Sequence, residues 1–195
     1  MTLFSCGQKG AGETAAPITE VKKASTTTAP SFNADSAYAY VEKQVSFGYR
    51  VPNTPAHKAC GDYLVSELKR FGAQVYEQEA TLKAYDGTPL ESRNIIGSFN
   101  PDKDKRILLF AHWDTRPYSD HDPDPANHKK PLDGADDGAS GVGALLEIAR
   151  QMGMKAPEVG VDIIFFDAED YGTPEFAKDR YNDTSDTWCL GSRFW

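Results

Sequence analysis

The sequence has no long apolar run, no cluster of basic residues and only three cysteines among 195 residues. A membrane-spanning helix needs about 18 or more consecutive apolar residues. Because no stretch approaches this length, no part of the sequence is predicted to cross a bilayer. The net charge is -8 and comes without the Lys/Arg-rich patch that nucleic-acid binders normally carry, so nucleic acid is not an expected partner. Cys60 and Cys189 could form a disulfide, two buried thiols or neither, since spacing alone does not decide this.

The N-terminal residues resemble a targeting signal. Residues 3–6, Leu-Phe-Ser-Cys, are followed by a glycine and resemble the end of a bacterial lipoprotein signal, in which the cysteine is lipidated after cleavage. The stretch from residue 7 to residue 31 is rich in Ala, Thr, Ser, Gly and Lys, which is typical of a disordered tether. We therefore predict a lipoprotein-type N-terminus and tether over residues 1–31, with a lipid anchor at Cys6 as the only membrane contact. An accidental match is the alternative. An exported protein of the cell envelope, in the periplasm or at the outer membrane, is the corresponding location.

The remaining chain, residues 32–195, is predicted to form one soluble domain. The whole sequence is 39% hydrophobic and 26% charged, as is usual for a globular α/β protein. Apolar spacing predicts helices over 34–47, 57–71 and 140–152, the opening of another at 190–195, and strands over 74–85, 94–99, 106–111 and 161–166. The branched and aromatic runs 106–110 and 161–166 predict buried central strands. The helix between them predicts a right-handed parallel crossover. His57, in the second helix, is predicted to be an ordinary surface residue.

Three short clusters place acids or a histidine where an apolar strand stops or a helix starts. They are Ala-His-Trp-Asp at residues 111–114, Gly-Ala-Asp-Asp-Gly-Ala-Ser-Gly at 134–141 and Phe-Phe-Asp-Ala-Glu-Asp at 165–170. In an open α/β sheet the ligand crevice lies beyond the carboxyl ends of the strands. Carboxylate oxygens and imidazole nitrogens are the groups that bind a divalent cation such as zinc. The clusters therefore predict a hydrolase-type metal site at this edge of the sheet.

Two of the clusters also indicate how the acids are used. Small residues let the backbone turn tightly beside Asp136 and Asp137, just before a helix start whose free N–H groups favour an ionised acid. Adjacent side chains at the end of a strand point to opposite sides, so Glu169 and Asp170 are predicted to have different tasks. One would bind metal, and the other would face the substrate as a proton carrier with a pKa raised by burial and by neighbouring acids.

The order of these clusters, followed by a tryptophan-containing loop that ends in Gly-Ser at 191–192, is similar to the zinc aminopeptidase superfamily. The resemblance is closest to its glutaminyl-peptide cyclotransferase (glutaminyl cyclase) branch, of bacterial type, and covers residues 32–195. It includes Arg-Val-Pro-Asn-Thr-Pro at 50–55 and Arg-Asn-Ile-Ile-Gly at 93–97, and the long insertion at 171–187 separates this branch from simple aminopeptidases. The resemblance implies a three-layer α/β/α fold with a central mixed, largely parallel sheet, incomplete at its C-terminus.

The resemblance further implies roles for the acids of the two later clusters. Asp137 and Asp170 match zinc ligands, and Glu169 matches the general acid/base. The third ligand in the family is a histidine far downstream, and this sequence ends before any position that matches it. Because a catalytic zinc normally has three protein ligands and one open position, we expect one zinc ion whose third protein ligand is not in this chain. We accordingly expect residues 32–195 to be the amino-terminal part of a longer catalytic domain.

The remaining candidates have alternative interpretations. His112 and Asp114 match the pair that binds a second zinc in aminopeptidases, whereas in cyclases this histidine lies near the metal without ligating it. A histidine that is simply hydrogen-bonded to an acid is a further alternative. Asp136 is a candidate for contact with the metal or its ligands. Trp113 and Trp188 are candidates for the wall of a substrate pocket, with a buried aromatic as the alternative for each.

The implied reaction is the conversion of a peptide's N-terminal glutamine to pyroglutamate with release of ammonia. Glu169 would take a proton from the attacking α-amine and hand it to the departing ammonia. One alternative is a zinc aminopeptidase that hydrolyses N-terminal residues. A second alternative, favoured by the missing ligand, is an inactive fragment or binding module.

Overall fold

The structure is a computed structural model, and it describes residues 29–195. The lipid anchor at Cys6 and nearly all of the predicted tether lie outside the described residues, so both stay predictions. Between residues 29 and 195, no helix is long and apolar enough to cross a membrane.

Four α-helices and four strands make up the regular structure from residue 29 onward. The helices are α1 Ala34–Val45, α2 Pro55–Arg70, α3 Ala139–Met154 and α4 Leu190–Phe194. The strands are β1 Gln74–Lys83, β2 Pro89–Phe99, β3 Arg106–His112 and β4 Gly160–Phe166. Each element lies where apolar spacing predicts it. The largest difference is at β2, which begins at Pro89 rather than at residue 94.

The strands form one mixed sheet in the order β1-β2-β4-β3. β3 and β4 are parallel neighbours with α3 between them in the chain, as the predicted crossover requires. β1 pairs with β2, and β2 pairs with β4, in antiparallel orientation. In this part of the chain, one strand pairing is parallel and two are antiparallel, so the sheet is mixed rather than largely parallel. The predicted α/β fold, a mixed sheet flanked by helices, is confirmed.

The main core lies on one face of the sheet, beneath α2 and α3. Its fully buried members include Cys60, Leu64, Leu68, Val142, Leu146, Ile163 and Phe165. Each large apolar side chain buried in this way contributes about 1.5 to 3 kcal/mol relative to exposure. α1 packs on α3, and α4 lies at the opposite face, where Trp195 contacts Phe166 with 5.8 Å between ring centroids. The carboxyl ends of β3 and β4 are thereby held on a rigid support.

β3 is an edge strand, although its apolar sequence predicts a buried central strand. It pairs with β4 on one side, and no strand between residues 29 and 195 pairs with its other side. Leu108 and Phe110, on the face of the sheet away from the main core, keep 41% and 64% of their surface exposed. Leu109 points the other way and packs against the core. The prediction for β3 is therefore wrong within the described chain, whereas β4 is central and buried as predicted.

The structure decides the state of Cys60 and corrects the prediction for His57, both of which lie in α2. Cys60 and Cys189 are both free thiols, so the disulfide alternative does not hold in this structure. His57 is only 5% exposed, and its Nε2 lies 2.8 Å from Oδ1 of the buried Asp167. The prediction of a surface position for His57 is wrong, because α2 turns this residue towards the end of β4, where Asp167 supplies a polar partner.

The carboxylate of Glu147 joins α3 to the start of α1. It is fully buried and accepts hydrogen bonds from Arg150 Nε at 2.7 Å, from Gln151 Nε2 at 2.7 Å and from the backbone N–H of Asn33 at 3.1 Å. The Arg150 hydrogen bond is the main reason why the pKa of Glu147 falls to about 2. Because this value is below the ordinary 4.5, the carboxylate stabilises the fold above about pH 4.5, and the contribution is lost as the pH falls towards 2.

We expect Glu147→Gln to lower the free energy of unfolding by about 2 to 3 kcal/mol at pH 7, as the pKa shift implies. Near pH 3 the same substitution is expected to cost at most about half as much, because the carboxyl of the unfolded chain, with its ordinary pKa of 4.5, is mostly protonated there while the native one is still mostly ionised. Urea unfolding of both proteins between pH 7 and pH 3 measures the difference, with the exposed Glu158→Gln as control. Stability curves that run parallel across this pH range would contradict the prediction.

Candidate functional site

The structure brings the three clusters together around His112, the last residue of β3. Its Nε2 lies 2.9 Å from Oδ1 of Asp137, in the second cluster. Its Nδ1 lies 3.5 Å from Oδ1 of Asp114 and 3.8 Å from Oε2 of Glu169, in the first and third clusters. Since β3 and β4 are parallel neighbours, their carboxyl ends meet at one edge, and the start of α3 is brought to the same place.

Asp114 fixes the backbone that carries the two acids of the third cluster. It is fully buried, and its Oδ1 and Oδ2 accept the backbone N–H groups of Glu169 at 3.0 Å and of Asp170 at 3.1 Å. β4 ends at Phe166, and Ala168 adopts a left-handed conformation with φ +49°. Glu169 and Asp170 therefore lie beyond the end of β4, and the prediction that strand alternation points them to opposite sides is wrong. A turn bound to Asp114 sets their directions.

The acids and the histidine of the site perturb one another strongly. Burial alone lowers the pKa of His112, but Asp114, Glu169 and Asp137 outweigh it and raise the pKa to about 9. Burial, followed by the charge of Asp114, raises the pKa of Asp170 to about 7, against the opposing effect of Arg116. pKa shifts of this kind are usual where acids and a histidine are gathered for a cation or for proton transfer.

The second cluster forms the entry to α3. Asp136 and Asp137 are both exposed, and α3 begins at Ala139, one residue before the predicted Ser140. Gly138 has φ +92°, and a Cβ atom there would lie 2.8 Å from the backbone oxygen of Asp114. Only glycine suits this position, because the tight turn must pass directly against the end of β3.

Arg50 supports the same loop from below, a role that the sequence did not indicate. Its guanidinium is fully buried and donates to the backbone oxygens of Asp133 at 2.8 Å and Gly134 at 2.7 Å, with a longer contact to Trp113 O at 3.4 Å. Each acceptor is at least 63 residues away in the chain. Arg50 therefore ties the segment before Asp137 to the end of β3.

Trp113 belongs to the core beneath the site. It is fully buried and stacks on His57 with 4.2 Å between ring centroids, and its Nε1 donates to the backbone oxygen of Arg93 at 3.3 Å. Asp167, which contacts His57, also accepts the backbone N–H of Arg93 at 2.7 Å. Trp113 thus corresponds to the buried-aromatic alternative, and with His57 it forms a rigid floor under the strand ends.

Trp188 closes the loop that follows the third cluster. It is half-buried, its Nε1 donates to Asp183 at 3.0 Å, and the guanidinium of Arg116 lies 4.7 Å from its ring centroid. A Cβ atom on Gly172 would overlap the same ring, so the loop packs tightly around it. Trp188 is therefore held firmly by its own loop and by Arg116, and its place in a substrate pocket stays a prediction.

The described residues offer donor groups suited to a divalent cation but do not complete a metal site by themselves. From residue 29 to 195, no three His, Cys, Asp or Glu side chains form a group that could hold a metal ion. The chemistry of the donors nevertheless fits a cation. The carboxylates of Asp137 and Asp170 are oxygen donors of the kind that bind zinc. A cation held by Asp137 and Asp170 would favour the ionised form of Asp170, whose pKa is raised first by burial and then by the charge of Asp114.

Comparison with known families identifies one match that contains the whole site. The profile described as Peptidase family M28 matches residues 94–195, more than half of the chain. This range includes all three clusters and Trp188.

Solved structures and curated proteins agree with this match. A Zn-dependent exopeptidase from Parabacteroides distasonis ATCC 8503 is 76% identical, with a TM-score of 0.82 over 85% of this chain and 56% of that chain. The Tannerella forsythia glutaminyl cyclase is 67% identical, with a TM-score of 0.82 and the same coverage of 85% and 56%. Aminopeptidase YwaD of Bacillus subtilis strain 168 is 32% identical over 125 residues, 62% of this chain and 24% of that protein. The chain thus spans just over half of the two solved chains and about a quarter of this curated relative.

Proposed function

Since the chain belongs to Peptidase family M28, we propose that the protein is a zinc-dependent glutaminyl-peptide cyclotransferase. It would convert the N-terminal glutamine of a peptide to pyroglutamate and release ammonia. The 67% identity to the Tannerella forsythia glutaminyl cyclase, over 85% of this chain, carries the proposal. The location predicted from residues 1–31, an exported protein anchored through Cys6, remains part of it.

Asp137 and Asp170 are the residues proposed to hold one zinc ion. A catalytic zinc normally has three protein ligands, and residues 29–195 contain no group of three side chains that could hold a metal ion. Zinc bound here would polarise the side-chain carbonyl of the substrate glutamine. His112 lies within hydrogen-bond distance of Asp137 and, in this proposal, orients that ligand without binding the metal.

Glu169 is the proposed proton carrier. Its side chain is 32% exposed, whereas the side chains of Asp167 and Asp170 are 0% and 11% exposed, so Glu169 is the acid of the third cluster that a substrate reaches most easily. Glu169 takes a proton from the α-amine as its nitrogen bonds to the side-chain carbonyl carbon. It then gives the proton to the amide nitrogen, whose bond to that carbon breaks as ammonia leaves. No water is consumed.

A zinc aminopeptidase is the second candidate. The 76% identity to the Parabacteroides distasonis Zn-dependent exopeptidase supports it. The same Glu169 would then remove a proton from an attacking water molecule, and the products would be a free amino acid and a shortened peptide.

Assays with two peptides separate these candidates. We expect the zinc-loaded protein to release ammonia from a peptide with N-terminal glutamine, in one-to-one ratio with pyroglutamyl peptide, and to release no leucine from a peptide with N-terminal leucine. A chelator is expected to abolish ammonia release, and added zinc to restore it. Free leucine without ammonia would overturn the cyclase and support the aminopeptidase. No product from either peptide at full zinc occupancy would favour a binding module.

A further inference from the structure

The thiol of Cys189 lies against the proposed proton carrier, although the mechanism above gives it no part. Its Sγ is 3.3 Å from Oε1 of Glu169, within hydrogen-bond distance for sulfur. An ionised carboxylate only accepts hydrogen bonds, so the thiol is the donor. Burial, followed by the hydrogen bond to Glu169, raises the pKa of Cys189 to about 11, which keeps the thiol protonated at neutral pH.

The backbone places this thiol by a run of three hydrogen bonds. The N–H of Cys189 donates to the backbone oxygen of Glu169 at 2.9 Å, and those of Leu190 and Gly191 donate to Ala168 and Asp167, each at 3.0 Å. The start of α4 is therefore docked in register on the turn that carries Glu169. Since Asp114 binds the N–H of Glu169 from the other side, the backbone of this residue is held from two directions.

The conformation of Cys189 gives a second, independent observation. Its φ is +56°, in the left-handed region that glycine adopts without cost and that other residues occupy infrequently. Its side chain makes no capping hydrogen bond to α4. Capping of α4 therefore does not explain why a residue other than glycine occupies this position. A strained residue at an active site is an indication of function when a specific contact accompanies it.

We propose that Cys189 is a positioning residue for Glu169, an inference that rests on the proposed function. Its thiol holds Oε1, and Oε2 then faces His112 Nδ1 at 3.8 Å. Among the described residues, this thiol is the one side-chain donor within hydrogen-bond distance of the Glu169 carboxyl, since His112 Nδ1 lies at 3.8 Å. Proton transfer is sensitive to the position of this carboxyl, because catalytic groups must be held within about 0.5 Å of their working position.

Three substitutions of Cys189 separate the hydrogen bond from the backbone strain. Cys189→Ser keeps a donor, and its kcat for ammonia release is expected to stay within about threefold of wild type. Cys189→Ala and Cys189→Gly lack the donor, and both are expected to lower kcat by about 5- to 20-fold with little change in KM, the effect of one lost hydrogen bond to a charged group. Glycine also removes the strain at φ +56°. Recovery of activity in Cys189→Gly, or full activity in Cys189→Ala, would overturn the proposal.

Crystal structures of wild type, Cys189→Ser and Cys189→Ala test the inference without any turnover. In wild type and Cys189→Ser, the Glu169 side chain is expected to adopt one conformer. In Cys189→Ala, it is expected to move to a different position or to occupy two conformers. An unchanged conformer in Cys189→Ala would overturn the positioning role even if the wild-type protein cyclises glutamine. If wild type forms neither product, the proposed function fails, and these conformers still decide whether Cys189 positions Glu169. Zinc content is expected to be equal in all variants.

Discussion

Glutamine in place of Glu169 is expected to lower kcat for pyroglutamate formation by about 10²- to 10⁴-fold, the range that general acid–base catalysis supplies. The substitution keeps the size of the side chain and an oxygen that accepts the Cys189 thiol, which lies 3.3 Å from Oε1 in the wild type. It leaves the backbone bond to Asp114 unchanged. What glutamine cannot do is take the proton of the α-amine. Catalysis is therefore expected to fail in a protein that is otherwise intact.

The experiment needs three measurements on the same preparation. Steady-state rates of ammonia release give kcat and KM, elemental analysis gives the zinc content, and thermal unfolding gives Tm. Only kcat is expected to change in Glu169→Gln. The exposed Glu158→Gln serves as control and is expected to resemble wild type in all three. If Glu169→Gln kept more than about a tenth of wild-type kcat, another group would carry the proton, and the buried Asp170 would be the next to test.

Local pattern was enough to predict most of the secondary structure, because each helix and strand is encoded in its own apolar spacing. Pairing between strands was harder to predict. The runs at 106–110 and 161–166 look alike in sequence, yet β4 is central and β3 lies at the edge of the described sheet. A strand's place depends on which other strands pair with it, and its own residues do not contain that information.

The same contrast, between features encoded locally and features that depend on distant residues, holds at the functional site. Strand ends and a helix start pointed to His112, Asp137 and Glu169, and the structure places both acids against His112. The supporting groups were missed, since their partners are distant in the chain. His57 reaches Asp167 across 110 residues, and the sequence around a lone helical histidine gives no sign of this. The acid-rich motifs themselves are visible in sequence, whereas the residues that hold them in place appear only when the chain is folded.

Among the residues that hold the motifs in place, Asp114 is the one whose substitution is expected to have the largest effect. Sequence alone made it a candidate metal ligand, whereas in the structure both of its oxygens are used to hold the backbone of Glu169 and Asp170. Alanine would leave one buried and one partly buried N–H group without an acceptor, at about 1 to 3 kcal/mol each. We expect Asp114→Ala to lower the free energy of unfolding by about 2 to 5 kcal/mol and to weaken zinc binding by about 10- to 100-fold, as losing the support of a ligand does.

Asparagine provides the sharper test, because it preserves the shape of the side chain. Its single carbonyl oxygen can accept one of the two N–H groups, and its amide nitrogen would face the other donor. Asp114→Asn is therefore expected to lose stability and zinc affinity nearly as much as Asp114→Ala, measured by urea unfolding and by competition with a chromogenic chelator. Asp102→Asn is the matched control, since Asp102 is exposed in the turn after β2, outside the three clusters, and is expected to change stability by less than about 0.5 kcal/mol. Wild-type zinc affinity in a folded Asp114→Asn protein would mean that the turn holds Asp170 without this carboxylate, and the positioning role of Asp114 would be wrong.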